Sequence, residues 1–498
     1  MSLEFLVVRL ACLVAASVLE VPVAAEQTAT DLGRGPHLFV DDVLVARRAG
    51  LERIAHPCER LDGPVLEPTM PWESSRVYLY GSAMAHPHEE GFQLWYMSRG
   101  SAMDLRDPRL RFKGADLVLY ATSNDGVAWR RPEIGAYRFD GNAANNIVYA
   151  MHSPSVLYDA DAADPAQRYK MVGYLREAPG YAGRGYYAAH SPDGLQWTLY
   201  PVNPIIPGGD TITLSFNPRP HEYLAYFKRN MEVRGHTRRV VVLATSPDMQ
   251  TWTEHGPVMA PDDEDDAWVA TPDQRTDFYN MSVFPRGEQF LGMVTVFRLE
   301  KIRERAELGR DQSPHDGPID VQLVHSRDGK HWERCDDRSP IIPRGSRAFD
   351  KGSILGVSNI PVFHDDEMWV YYTAMTTTHG GAMPEKRMSI GRASWRLDGM
   401  VSLDASTDGG FLETVTFVSE GRHLQVNANA AKGQLTVEVC NAAGEPIPSF
   451  TAKDCLPMTS DSVRHRIQWG TRTELPGGMP LRLRFRMRQA SLYAFSLE

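Results

Sequence analysis

The sequence predicts an all-β chain: a five-bladed β-propeller over residues 74–400, then a small β-sandwich over residues 401–498. Three observations predict it. First, the phrase Ser-x-Asp-(Gly)-x-x-Trp recurs at Ser123 to Trp129, Ser191 to Trp197, Ser246 to Trp252 and Ser326 to Trp332, each time after a short apolar run. Asp-Gly suits a tight turn because Gly accepts positive φ and Asp bonds its own backbone, and the Trp supplies a buried anchor. Second, a hairpin with alternating apolar residues on both arms precedes each copy, as in Val77–Tyr80 with Phe92–Tyr96 and Ser155–Tyr158 with Tyr169–Tyr174. Pairing the hairpins yields five four-stranded units at roughly fifty-residue spacing, the period of a propeller blade. Third, the last hundred or so residues hold short strands with one polar face, such as Leu435–Val439 and Leu481–Arg486.

In chain order, residues 1–25 read as a secretory signal. Arg9 is followed by the apolar run Leu10–Leu19, and Val23-Ala24-Ala25 fits the small-residue cleavage rule, so a secreted or periplasmic location is expected. Residues 26–73 form an N-terminal segment in which His37–Val45 is expected as a strand that completes the last blade. The blades follow; the second hairpin of the fifth is degenerate, reduced to Met388–Ala393, Trp395 and Asp398-Gly399. A linker near Asp398–Gly410 leads into the sandwich.

Composition narrows the partners. A net charge of −10 without a basic run argues against nucleic acid or an anionic membrane surface. No later apolar stretch is long enough for membrane insertion. Of the five cysteines, Cys12 leaves with the signal. Cys440 and Cys455 lie close enough in sequence to pair in an oxidising compartment, and none has zinc-site spacing, so no metal or cofactor is expected. Ca²⁺ in a structural role is a candidate for the acidic run Asp262-Asp263-Glu264-Asp265-Asp266.

In a propeller the first strand of each blade lines the central channel, so residues ahead of those strands cluster at one mouth. Glu73, Asp210, Asp277 and Asp350 hold that position in four blades, and Asn145, Asn146 and His152 in the other. Crowded carboxylates repel, raising some pKa values and leaving others ionised. Glycosidic cleavage needs that division, with one protonated acid and one carboxylate. Trp72, Tyr78, Trp268 and Tyr279 can stack on sugar faces, while Arg76, Arg229 and His379 can hold hydroxyls or an anionic group. Asp41, with Asp42 on the early strand, is a further candidate acid.

The blade count, the repeated phrase, Leu38-Phe39-Val40-Asp41-Asp42, Pro71-Trp72-Glu73 and the terminal sandwich resemble the exported five-bladed propeller proteins grouped with glycoside hydrolase families 32 and 43. The resemblance implies carbohydrate as substrate, an acid at the channel from the first blade, a second that tunes it and a third that donates the proton. On that pattern Asp277 is the tuning carboxylate, Asp350 or Glu73 the proton donor, and Asp210 or Asp41 the base. The fructan-cleaving motif Trp-Met-Asn-Asp-Pro-Asn-Gly is absent, so fructose specificity is not implied. Two other functions fit the residues: a non-catalytic carbohydrate-binding propeller, and a glycoside phosphorylase holding phosphate with Arg229, Arg238 and Arg239.

Overall fold

The computed structural model describes residues 30, 32–99, 112, 115–181, 183–309, 312–335, 337–419 and 422–498. The segment 1–25, which reads as a signal, lies outside the described residues. Among those residues the regular structure is strand, with short 3-10 turns, and no helix is long and apolar enough to cross a membrane.

Five antiparallel sheets of at least four strands follow one another along the chain. Their first members are Val77–Tyr78, His152–Tyr158, Ile212–Pro218, Arg275–Arg286 and Ser353–Val357. Each sheet packs on the next and the fifth packs on the first, which closes a five-bladed propeller. Serine and threonine hydroxyls stitch all five seams. Ser82 Oγ donates to Val156 O (2.6 Å), Ser155 Oγ accepts from Leu214 N (2.9 Å), and Thr213 Oγ1 donates to Met281 O (2.5 Å). Ser282 Oγ donates to Val357 O (3.1 Å), and Thr373 Oγ1 donates to Leu79 O (2.8 Å) to complete the circle. Inner strands from neighbouring blades are not paired in one sheet, so these small side chains satisfy backbone groups that the ladders leave over.

The repeated phrase works as a latch between blades. In Ser191-Pro192-Asp193-Gly194, Ser191 Oγ accepts from Gly194 N (2.9 Å), and Asp193 Oδ1 accepts from Leu195 N and Gln196 N (both 2.9 Å). That turn leaves the Gly194 carbonyl pointing at the preceding blade, where Trp95 Nε1 donates to it (2.8 Å). Gly194 has φ +72, and a Cβ there would meet Trp95 at 2.6 Å, so only glycine lets the indole approach. Tyr371 reaches Gly126 O and Tyr226 reaches Gly329 O in the same way (both 2.8 Å). Asp193→Ala removes the acceptor for two amides and is expected to destabilise the chain by about 1–3 kcal/mol, read as a lower midpoint in urea.

Closure differs from the sequence reading in its strand. Glu59–Arg60, only two residues long, pairs with Met388–Arg396 as the outer strand of the fifth blade. The stretch expected to close the ring belongs to the sandwich instead: His37–Leu38 pairs with Ala490–Leu497 and Val45–Ala49 with Gly410–Thr414. The sandwich's two sheets enclose a separate core that includes Phe39, Phe485, Phe495 and Trp469. The pairing that sequence proximity leaves open to Cys440 and Cys455 does not form; both are free thiols. Cys455 Sγ accepts from Val437 N (3.3 Å), three residues along the strand from Cys440. Three residues of strand span about 10 Å, beyond the reach of a disulfide.

Candidate active site

All five blades contribute to one cavity of about 860 Å³. Its lining carries a chain of four charged groups drawn from three blades. Asp116 Oδ2 is 2.5 Å from His152 Nδ1, His152 Nε2 is 3.5 Å from Asp210 Oδ1, and Lys228 Nζ donates to Asp210 Oδ2 at 2.7 Å. His152 opens the first strand of the second blade, Asp210 stands just ahead of the first strand of the third, and Lys228 lies on the strand beside it. Asp210 follows Gly208-Gly209 and adopts φ +103, a region non-glycine residues avoid. Strain of this kind persists where the surroundings hold it and concentrates at functional sites. A turn aspartate would cap local amides, whereas this side chain faces His152 and Lys228 and keeps 30% of its surface exposed.

The protonation states follow from these contacts. Burial alone would depress His152, but its contacts with Asp116 and Asp210 prevail and lift it to about 9. Burial pulls Asp210 upward, and Lys228 and His152 more than offset that, holding its carboxyl far below the usual range. Tyr80 and Tyr279, both on the cavity lining, stack with centroids 6.4 Å apart and planes 9° apart. Burial raises both phenols and the charge of Asp210 adds to it, so they stay protonated and present donors. His379 faces Tyr279 OH at 3.3 Å; burial and Lys386 push it down to about 3, leaving a neutral ring.

The expected gathering of four acids at one mouth is not observed. Of Glu73, Asp210, Asp277, Asp350 and Asp41, only Asp210 lines the cavity. Glu73 is fully buried and accepts from Thr69 N, Met70 N, Tyr96 OH and Arg131. Asp277 is buried between Arg239 (2.5 Å) and Arg275 (3.4 Å). Asp350 is held by Arg60 from the closing strand (3.2 Å) and by Tyr372 OH (3.3 Å). Asp41 makes a bidentate pair with Arg327 at 2.8 and 2.6 Å. Each of these acids is committed to an arginine that the chain brings from elsewhere. Among the expected binders, Arg76, Tyr78, His152, Tyr279 and His379 line the cavity. Trp72 is buried and donates to Asn146 Oδ1 (2.7 Å), Trp268 donates to Thr276 Oγ1 (2.9 Å), and Arg229 is paired with Glu254 (2.9 Å), so these three do not. The acidic run at 262–266 is likewise laced to arginines: Asp262 to Arg338, Asp265 to Arg334 and Asp266 to Arg238.

Asp116, Lys228, Lys386 and Tyr80 also line the cavity, and the rule of one acid ahead of each inner strand does not reach them. Asp116 and Lys228 share a signal that could find them: each is the charged residue bounding an apolar strand run, Leu117–Ala121 and Leu224–Phe227.

No protein-family model matches the chain, and no curated protein matches it. Similar solved structures include a glycosyl hydrolase from Bacteroides ovatus, at 12% identity, covering 69% of this chain and 94% of that one with a TM-score of 0.40. An N-acetylgalactosamine deacetylase from F. plautii in complex with blood group B trisaccharide is similar at 15% identity, 71% and 97% coverage and TM-score 0.44. The Bombyx mori GH32 beta-fructofuranosidase BmSUC1 is similar at 11% identity, 88% and 94% coverage and TM-score 0.40. Glycoside hydrolases recur among the names these structural neighbours carry.

Proposed function

We propose that the protein cleaves a glycosidic bond, with Asp210 and His152 as the reacting pair. The observation that carries this reading is the Asp116–His152–Asp210–Lys228 array, which places an ionised carboxylate and a protonated imidazole side by side in a cavity of oligosaccharide size. Asp210, kept ionised by Lys228, suits a negative charge set against the positive charge that develops at the anomeric carbon. So depressed a carboxylate is a poor proton acceptor, which favours that role over the general-base role expected from the sequence. His152 Nε2 is only loosely engaged by Asp210 at 3.5 Å, long for a hydrogen bond, and its proton is available to a leaving oxygen. Asp116 fixes the ring through Nδ1. Tyr80 and Tyr279 offer hydroxyls to a sugar ring.

The test is turnover of a panel of polysaccharides and aryl glycosides, scored by new reducing ends. A carbohydrate-binding protein without catalysis would bind members of the panel and release nothing, which would overturn the proposal.

The pH profile follows from the same pair. His152 must carry its proton, so kcat/KM is expected to stay level through neutral pH and to fall above about pH 9. Asp116→Asn removes a contact that holds the proton on, so the descending limb should move to lower pH; an unmoved limb would exclude His152 as donor. Stability moves with the same sign. A folded-state pKa raised from 6.5 to about 9 stabilises fully below pH 6.5, and that contribution is lost as pH rises through 9.

A further inference from the structure

Tyr279 and His379 are both buried and both line the cavity. Between its second and third strands the fourth blade inserts a small hairpin, in which Lys301–Ile302 pairs with His315–Asp316, and the peptide carrying His379 is pinned to it. Thr378 Oγ1 and Gly380 N donate to Asp316 Oδ1 (2.7 and 2.8 Å), and His379 N donates to Gly317 O (3.0 Å). A Cβ on Gly380 would meet Asp316 Cβ at 2.4 Å, so the approach requires glycine. The imidazole is anchored as well: Nδ1 lies 2.9 Å from His315 O. A carbonyl oxygen only accepts, so Nδ1 carries the hydrogen. Burial and Lys386 keep the ring neutral, which leaves Nε2 bare. Nε2 can therefore only accept, and the group facing it is Tyr279 OH at 3.3 Å.

We infer that Tyr279 meets the substrate only as a hydrogen-bond acceptor, its hydrogen being committed to His379, so the site requires a free hydroxyl on the sugar ring beside Asp210 and rejects that position when it is deoxygenated or capped as an ether. A phenol has one hydrogen. Burial and the charge of Asp210 keep it on Tyr279, and the bond to His379 directs it away from the substrate, so lone pairs are what the oxygen turns to the cavity. The ring is held in that pose. Tyr80 stacks on it, the Arg239 guanidinium lies 5.2 Å from its centroid, and Phe297 meets it edge-on at 6.1 Å. A tyrosine with an unengaged hydroxyl would serve donors and acceptors alike; His379 is the positioning residue that removes the choice. An ether oxygen set against this acceptor brings two lone pairs together, and a deoxy carbon leaves a buried acceptor unpaired. The inference rests on the proposed glycosidic cleavage for its substrate half and deepens it by naming a specificity determinant.

Two measurements test it. In the free mature protein carrying nitrogen-15 histidine, the ring resonances of His379, assigned by their loss in His379→Gln, should show Nδ1 protonated and Nε2 bare at neutral pH. A protonated Nε2 overturns the inference whatever the protein does to glycans. The p-nitrophenyl glycopyranoside that the wild type turns over fastest is then compared with its mono-deoxy and mono-O-methyl forms. At one ring position, removal of the hydroxyl should lower kcat/KM by about 10- to 100-fold, and O-methylation by at least as much. Tyr279→Phe should make the parent and that deoxy form alike. In His379→Phe the phenol regains its hydrogen, so the O-methyl form should recover relative to the deoxy form, whereas a merely structural His379 would slow all three substrates equally. If every position tolerates deoxygenation, or Tyr279→Phe keeps the full penalty at the same position, the inference is overturned. Because the resonances are read without substrate, an absence of turnover across all glycosides sinks the hydrolase reading alone and leaves the direction of the Tyr279 hydrogen bond decided by the spectrum.

Discussion

Asp210→Asn is expected to lower kcat/KM by about 10³-fold or more on any glycan the wild type cleaves, while the chain still folds. Asparagine keeps the side-chain shape, and it tolerates positive φ better than most residues, so the strained backbone at φ +103 is not penalised further. The charge is what disappears. Lys228 loses the acceptor at 2.7 Å, and His152 loses one of the two carboxylates that hold its proton. Two readouts then move together: turnover collapses, and the alkaline limb of any residual activity shifts downward. A modest fall in thermal stability should accompany them, because a lysine with 11% of its side chain exposed is left without its carboxylate. Activity within about twofold of wild type would remove Asp210 from the reaction and with it the proposed function.

Sequence and structure part company for a definable reason. Asp-Gly turns declare themselves because their chemistry is local: Ser191, Asp193 and Gly194 satisfy one another within a few residues, and the sequence shows all three. Four copies of the turn mark four hairpins, and the fifth blade, whose second hairpin is degenerate, is counted from its first hairpin. The closing strand Glu59–Arg60 is too short to show any alternation, so the pattern directs ring closure to the longer apolar stretch at 37–45, which the sandwich core claims through Phe39. Site acids present the harder case. Glu73, Asp210, Asp277 and Asp350 look alike as sequence, each a carboxylate ahead of or at the start of an inner strand. What separates them is the partner supplied from afar: Arg131 for Glu73, Arg239 for Asp277, Arg60 for Asp350, but a histidine and a lysine on the cavity wall for Asp210. Partner identity is a tertiary property, and a rule based on position along a blade has no access to it.

Glu73 offers the sharpest separation between the two assignments of the acids, because they expect opposite outcomes from one substitution. As the proton donor suggested by sequence, Glu73→Gln would lose activity and keep stability. Its surroundings argue for the reverse. The carboxylate is fully buried, with Arg131 Nε at 2.7 Å, Tyr96 OH at 2.7 Å, and the amides of Thr69 and Met70 at 2.8 and 3.0 Å. It thereby ties the entry to the first blade, at Pro71–Glu73, to the strand that carries Tyr96 and to the outer edge where Arg131 follows Trp129–Arg130. Removing the charge leaves the Arg131 guanidinium, only 15% exposed, without its counter-ion, and the amide nitrogen of glutamine would sit among donors. Breaking a buried pair from one side costs about 3–5 kcal/mol, so the melting temperature should drop by roughly 5–10 °C. Turnover measured well below that melting point should remain near wild type, since Glu73 does not line the cavity. An unchanged melting temperature with lost turnover would return Glu73 to the reaction and displace the Asp210–His152 pair.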